Sequence, residues 1–452
     1  MIDVENSNLA ESYMKRLIAS LAATLMGWMT TLTGSTMARE LIIHPTIKSS
    51  LLAEPAIIIS QSHPTAQQTS KLSTEVEAVV NGNNAFALDL YRQLRNQEGN
   101  LFFSPYSTST ALAMTYVGAK GQTATEMSKV LHFTLEQDSL HPAFASLMGM
   151  LNTKDKQGFQ LSIANRLWGQ QGYDFLKPFK QLTQDNYGAA LEEVDFINAT
   201  EETRRTINKW VEQQTQEKIQ NLIAPNILNS LTRIVLTNAI YFKGTWVKQF
   251  NPAQTKNQPF TVAPGQQVDV PMMFQEASVG YAEFSNLQVL ELPYVGKDTS
   301  MVILLPKNVD GLAELEQQLT PENLRTWLSS IRYGGCPEAI QLPKFRLNSA
   351  FEFKQVLSKM GMASAFDDDG ADFSGMNGRK DLFLANVIHK TFVDVNEFGT
   401  EAAASTAVRG ELRCRRGTFR ADRPFIFLIR HIQSGSILFM GRVVNPVSRP
   451  NP

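Results

Sequence analysis

Apolar residues recur along the chain in two rhythms that occupy different regions. Near the front, Asn84 is followed by Phe86, Leu90 and Leu94, with Ala87 and Tyr91 beside them. This spacing predicts an amphipathic helix with Asn84 as its cap. Over residues 203–219, Ile207, Trp210, Val211 and Ile219 mark one apolar face on a polar background, which predicts another helix. Elsewhere the apolar runs are short and often β-branched, at 234–242, 301–305, 425–429 and 437–444. Such runs read as strands buried on both faces. Helices crowd the first half and strands the second, so the expected class is α+β with large sheets.

The leading residues follow neither rhythm. Met14, Lys15 and Arg16 precede a mostly apolar stretch at 17–32, and small residues follow as far as Ala38. Positive charge, apolar core and small-residue site together predict a secretory signal, with translation starting at Met14 and cleavage near Ala38. The stretch is shorter than a membrane span and contains Thr24, Thr30 and Thr31. The expected organisation is upstream residues and signal at 1–38, a polar linker at 39–75, one large domain at 76–447 and a tail at 448–452. The expected location is outside the cytoplasm, extracellular or periplasmic, with no membrane association after processing.

Composition narrows the chemistry. The 452 residues are 43% apolar and 19% charged with a net charge of −1, a globular balance without the Lys/Arg excess of a nucleic-acid binder. Cys336 and Cys414 alone form neither a disulfide framework nor a four-ligand zinc site. The six histidines, His44, His63, His132, His141, His389 and His431, include no pair at helical zinc-ligand spacing. No metal and no cofactor are expected. Residues 118–121 are glycine-rich but lack phosphate-loop spacing and read as a structural turn. The acidic run at 367–369 places Gly378 where a calcium loop needs a bidentate Glu, so it reads as a solvated turn. Asn198, Ala199 and Thr200 form a glycosylation sequon, which matters only for a secreted glycoprotein.

One stretch is unusual. Gly399, Thr400, Glu401, Ala402, Ala403, Ala404, Ser405, Thr406, Ala407 and Val408 are small and almost uncharged, and Arg409, Arg413, Arg415, Arg416 and Arg420 crowd the remainder. By alanine propensity the run reads as a helix, and a linker or a strand is also compatible. At period two, Thr400, Ala402, Ala404, Thr406 and Val408 fall on one small or apolar face, with Glu401, Ser405 and Arg409 on the other. Without proline from Gly399 to Arg423, such a segment could enter an existing sheet and donate at every residue.

The chain resembles the serpins over residues 76–446. The resemblance rests on NLFFSPYS at 100–107, TNAIYFKGTW at 237–246, ADFSGM at 371–376, GTEAAA at 399–404, DRPF at 422–425 and FMGRVVNP at 439–446. It implies helices packed on three β-sheets with an exposed reactive-centre loop, and an inhibitory member of the antitrypsin-like and intracellular types. It also implies that the protein is not an enzyme. In that family a protease cuts the loop, becomes acylated and is trapped as the loop inserts into the central sheet.

Matched residue by residue, the reactive bond is Arg413-Cys414, fourteen residues beyond Gly399 and eleven before Pro424. The expected partner is a trypsin-like serine protease, whose pocket carboxylate pairs with guanidinium, held in a covalent complex by a monomeric inhibitor. Arg409, Arg415 or Arg416 could be cut instead, and Leu412 also suits papain-like cysteine proteases. The hinge spans Glu397 and Gly399 to Thr406. Ser104, Ser107, Asn238 and His389 match the gate beneath the sheet, and Trp246 and Phe242 match its upper end; His389, Trp246 and Phe242 also read as plain core residues.

Phe398 departs from the family's acidic residue before the hinge glycine, and Gly410 weakens the late strand. The alternatives are a non-inhibitory serpin acting as carrier or chaperone, and a thiol enzyme using Cys414 with His389 as base. The latter lacks an orienting third group.

Overall fold

In the computed structural model, the described residues are 72–151, 159–189, 191–334, 339–400 and 418–447. Several expectations lie outside them: the signal, most of the linker, the tail, Cys336, the reactive bond Arg413-Cys414, and hinge residues Glu401, Ala402, Ala403, Ala404, Ser405 and Thr406.

Among the described residues, seventeen strands numbered in chain order form three sheets. The central sheet runs β12 (Phe345–Glu352), β13 (Leu384–Asn396), β14 (Gly399–Thr400), β4 (Ile234–Thr245), β2 (Phe159–Gln170) and β3 (Glu192–Val194). A second sheet runs β1 (Leu101–Phe103), β17 (Ile437–Val443), β16 (Phe425–His431), β9 (Thr299–Pro306), β8 (Leu287–Pro293), β7 (Gly280–Glu283) and β10 (Arg332–Tyr333). The third runs β15 (Thr418–Arg420), β11 (Ala339–Pro343), β6 (Gln266–Gln275) and β5 (Lys256–Ala263). The expected α+β class with three sheets is what the chain adopts.

The four apolar runs are strands β4, β9, β16 and β17, buried along almost their whole length. Period two divides β4 between two layers. Val235, Ala239 and Tyr241 face one cluster with Ile207 and Val211 of helix Thr200–Gln214, while Leu236, Ile240 and Phe242 face the main core. Helix Pro105–Tyr116 is buried at every position. It begins directly after β1, whose Phe102 stacks on Phe427 and Phe439 at 5.7 and 5.2 Å.

Two helix boundaries differ from expectation. The first helix spans Thr74–Leu94, starting just inside the expected linker, and Ser73 caps it by accepting from the Val76 amide at 3.2 Å. Val76, Val79 and Val80 extend the apolar stripe backward, so Asn84 is interior. Its amide instead ties the helix to the β16–β17 turn, donating to the Gly435 carbonyl and accepting from the Ile437 amide, both at 2.9 Å. The second helix stops at Gln214, because Gln216 and Glu217 adopt positive φ and break it. Ile219 reaches the same core cluster from beyond that break. The readings as turns hold at 118–120 and 367–370, and Gly121 begins the helix Gly121–Val130.

Replacing Phe102 by Ala is expected to lower stability by about 3–5 kcal/mol, because its stacked neighbours cannot close over the void. Urea unfolding of the variant beside the parent checks this.

Candidate functional site

The site begins where two strands meet in parallel. Strands β13 and β4 pair in parallel from Leu384–Ile234 to Phe392–Tyr241 with one irregularity between Leu384 and Asn386, and β4 also pairs antiparallel with β2. Beyond Phe392 they diverge enough for β14 to lie between them. Gly399 sits opposite Asn396 and Thr245, and Thr400 opposite Val395 and Gly244, antiparallel to both neighbours. Gly399 has φ +155°, and a Cβ there would stand 2.0 Å from the Gly244 carbonyl oxygen. Only glycine fits this approach.

The start of the hinge is tethered on both sides. The Glu397 carboxylate is buried and meets Lys344 Nζ and Thr255 Oγ1, each at 2.8 Å. Burial alone would raise this carboxyl, but the Lys344 and Thr255 hydrogen bonds outweigh it and hold it below the usual range. The Glu397 carbonyl accepts from the Phe250 amide at 2.8 Å, and the Phe398 carbonyl from the Trp246 amide at 3.0 Å. The Phe398 side chain, which replaces the family's acidic residue, is exposed.

Trp246 and Phe242 do come together at this end of the sheet, through a residue that sequence reasoning missed. Tyr294 stacks on Trp246 at 4.5 Å and 12°, and meets Phe242 edge-on at 5.0 Å and 67°. The Trp246 indole donates to the Asn396 carbonyl at 3.0 Å.

Beneath the parallel pair lies a buried polar cluster containing all four predicted gate residues. The Ser104 amide donates to His389 Nε2 at 3.0 Å, so Nδ1 carries the ring proton and donates to Asn238 Oδ1. Asn238 Nδ2 reaches Ser107 Oγ at 2.6 Å and Asn165 Oδ1 at 2.5 Å, and Ser107 Oγ donates to Asn165 at 3.0 Å. Ser104 Oγ donates to the Leu438 carbonyl at 2.6 Å. Burial pushes His389 down to about 3, only partly offset by its bond to Asn238. A neutral ring with both nitrogens engaged is no general base, so the thiol-enzyme reading finds no support.

Comparison with known proteins fits this frame. The family model described as serpin (serine protease inhibitor) matches residues 81–446. The chain is a serpin. Serpins are serine-protease inhibitors and not enzymes. Leukocyte elastase inhibitors of Bos taurus and Homo sapiens are 45% and 42% identical to this serpin over 381 residues, 82% of this chain and 100% of theirs. That of Xenopus laevis is 44% identical over 370 residues, 80% of this chain and 97% of its own. Among solved structures, uncleaved ovalbumin is similar at TM-score 0.74 and 30% identity, covering 82% of this chain and 100% of its own. Serpin48 of Tenebrio molitor, described as highly specific, is similar at TM-score 0.72 and 34% identity, covering 83% and 100%.

These relatives correct the expected location. Leukocyte elastase inhibitors are serpins of the intracellular type, and at this identity they point to the cytoplasm and not to secretion.

Tyr294, Lys344, Thr255 and Asn165 escaped the sequence reading. Lys344 lies 53 residues from Glu397 and Asn165 lies 73 from Asn238, so only register in the folded sheet joins them. A tyrosine ending an apolar strand was the one available hint.

The buried histidine gives a signed pH dependence. An unfolded histidine takes a proton below about 6.5, whereas folded His389 refuses one until about 3. Stability therefore falls as pH drops through this window, by up to roughly 1.4 kcal/mol per unit from this residue. His389→Asn is expected to flatten the slope between pH 6 and 4 in urea titrations, leaving the contribution of His141, which burial lowers to about 4.

Proposed function

We propose that this serpin is an irreversible suicide inhibitor of trypsin-like serine proteases, cut at Arg413-Cys414. The observation that carries the reading is the seating of Gly399 and Thr400 between β4 and β13, antiparallel to both. Below that point β13 and β4 pair with each other, and in this reading they must part to admit the rest of the small, proline-free run that begins at Gly399. Serine attack at Arg413 acylates the protease and frees Cys414 with its downstream chain. Residues 400–413 then enter between them as a full strand. At ~3.3 Å per residue they span about 45 Å, carrying the acylated enzyme away from the loop's starting place. Each ladder bond gained adds about 1 kcal/mol net, so the uncut protein is the less stable form, held kinetically.

In this mechanism Glu397 with Gly399 to Thr406 serves as hinge, Ser104, Ser107, Asn238 and His389 as the gate that must part, and Trp246 and Phe242 as the upper opening. The acting unit is 76–447, a monomer with no cofactor and no nucleic-acid partner.

The relatives' names point to leukocyte elastase instead. Arginine favours the trypsin-like target, since elastase has a small specificity pocket without the carboxylate that guanidinium needs. Incubation with trypsin is expected to yield a denaturant-resistant complex and the 39-residue peptide 414–452. Arg413→Ala should abolish trypsin trapping, and Thr400→Arg should convert inhibitor to substrate by burying a guanidinium. A complex with leukocyte elastase but not trypsin would overturn the bait assignment. Clean cleavage without a complex would support the non-inhibitory reading, and trapping of a papain-like enzyme the cross-class one.

The same parting of β13 from β4 would admit another molecule's loop. Warming below the unfolding transition is therefore expected to produce loop-sheet polymers, read by native gel. Samples that stay monomeric would count against an accessible position.

A further inference from the structure

We propose that Tyr294 is the positioning residue that seats Thr400 in the mouth of the central sheet and thereby nucleates loop insertion. This deepens the inhibitory reading and rests on it. Tyr294 OH and Thr400 Oγ1 lie 2.8 Å apart, and both residues are fully buried. Thr400 is the first residue of the segment expected to insert, so its hydroxyl is the first polar group the sheet must accommodate. A buried hydroxyl without a partner is costly, and the phenol supplies that partner.

The phenol is fixed from every side. Its ring lies flat against Trp246 and edge-on to Phe242. Gly244 leaves it room, because a Cβ at 244 would stand 2.6 Å from Tyr294 Cδ1. Its amide donates to the Thr299 carbonyl at 3.0 Å, and the Val295 amide donates to the Thr245 carbonyl at 2.7 Å. Tyr294 is thus joined to the β4 side of the opening, and among the described residues its link to β13 is indirect, through Trp246, whose indole meets the Asn396 carbonyl. When β13 parts from β4, the phenol keeps Thr400 on β4 as the first rung, and the following residues add to a strand already begun. Nucleation is the slow part of forming an ordered segment, so a prepaid first rung shortens the interval in which water can release the acyl-enzyme.

Tyr294→Phe tests this while keeping the ring and its packing. In the uncleaved variant, amide hydrogen exchange of the peptide covering 396–400 is expected to quicken about two- to tenfold, the range for one hydrogen bond. With trypsin, the moles of inhibitor consumed per mole of protease trapped are expected to rise by a similar factor, while the rate of loop cleavage stays at the parent value. Thr400→Val should act alike. The double variant should be no worse than either single one, because neither hydroxyl is then left unpaired.

Unchanged exchange at 396–400 in Tyr294→Phe would overturn the seating, and so would additive effects in the double variant. Faster exchange with unchanged trapping would overturn the nucleating role. If the parent itself is cleaved without forming a complex, the inhibitory reading fails and the nucleating role falls with it. The exchange measurement needs no protease and still decides whether Tyr294 seats the hinge.

Discussion

The fold depends on a pairing that stops short of the best one available to it. Strands β13 and β4 run parallel, yet each meets Gly399 and Thr400 antiparallel at one end. An antiparallel strand between them would replace one slanted ladder by two perpendicular ones. The chain carries a segment of suitable length and side-chain size a few residues away. What keeps the parallel pair together is therefore not optimal hydrogen bonding within the sheet but the layers on its two faces.

Those layers are chemically unlike. On one side, helix Thr200–Gln214 covers the sheet with Ile207 and Val211 over Val235, Ala239 and Tyr241. That contact is apolar and non-directional, so it tolerates small sliding. On the other side, His389, Asn238, Asn165, Ser107 and Ser104 link β13, β4 and β2 to the start of helix Pro105–Tyr116 through directional bonds. Such a network is cooperative when complete and costly when broken in part. In the proposed mechanism it suits a sheet that has two arrangements and no stable intermediate, because a half-open gate would leave several buried polar groups unpaired at once.

Different parts of this were legible in the sequence to different degrees. Strands β4, β9, β16 and β17 could be read because burial on both faces leaves unbroken apolar runs, a signal independent of tertiary context. Of the run read as a spare strand, Gly399 and Thr400 do form one, and the rest lies outside the described residues. Helix starts were misread where tertiary bonding competes with local capping. Asn84 has the chemistry of a cap, but its amide is used by Gly435 and Ile437, more than 350 residues away. The gate residues became recognisable only through the resemblance, since buried Ser, Asn and His carry no periodic mark. Tyr294 and Lys344 act through partners brought close by sheet register, and nothing in their own neighbourhoods announces this.

Target and mechanism are also separable in physical terms. In the proposed mechanism the hinge must satisfy the sheet, which accords with a run of small, alternating residues that begins with a glycine fitting against the Gly244 carbonyl. The bait residue need only satisfy the protease's pocket before cutting and lie at the far end of the inserted strand afterwards. Identity of 42–45% to elastase inhibitors therefore speaks for the frame, which is where most of the matched residues lie. It says less about residue 413, whose side chain meets a different selection. An arginine entering a small apolar pocket would lose its water without gaining a carboxylate, a cost that packing elsewhere in the interface cannot remove. The same arginine in a pocket floored by a carboxylate gains a paired, charge-assisted bond. In the proposed mechanism one substitution at this position can redirect the inhibitor while leaving the trap intact, because no ladder bond depends on which side chain the protease reads.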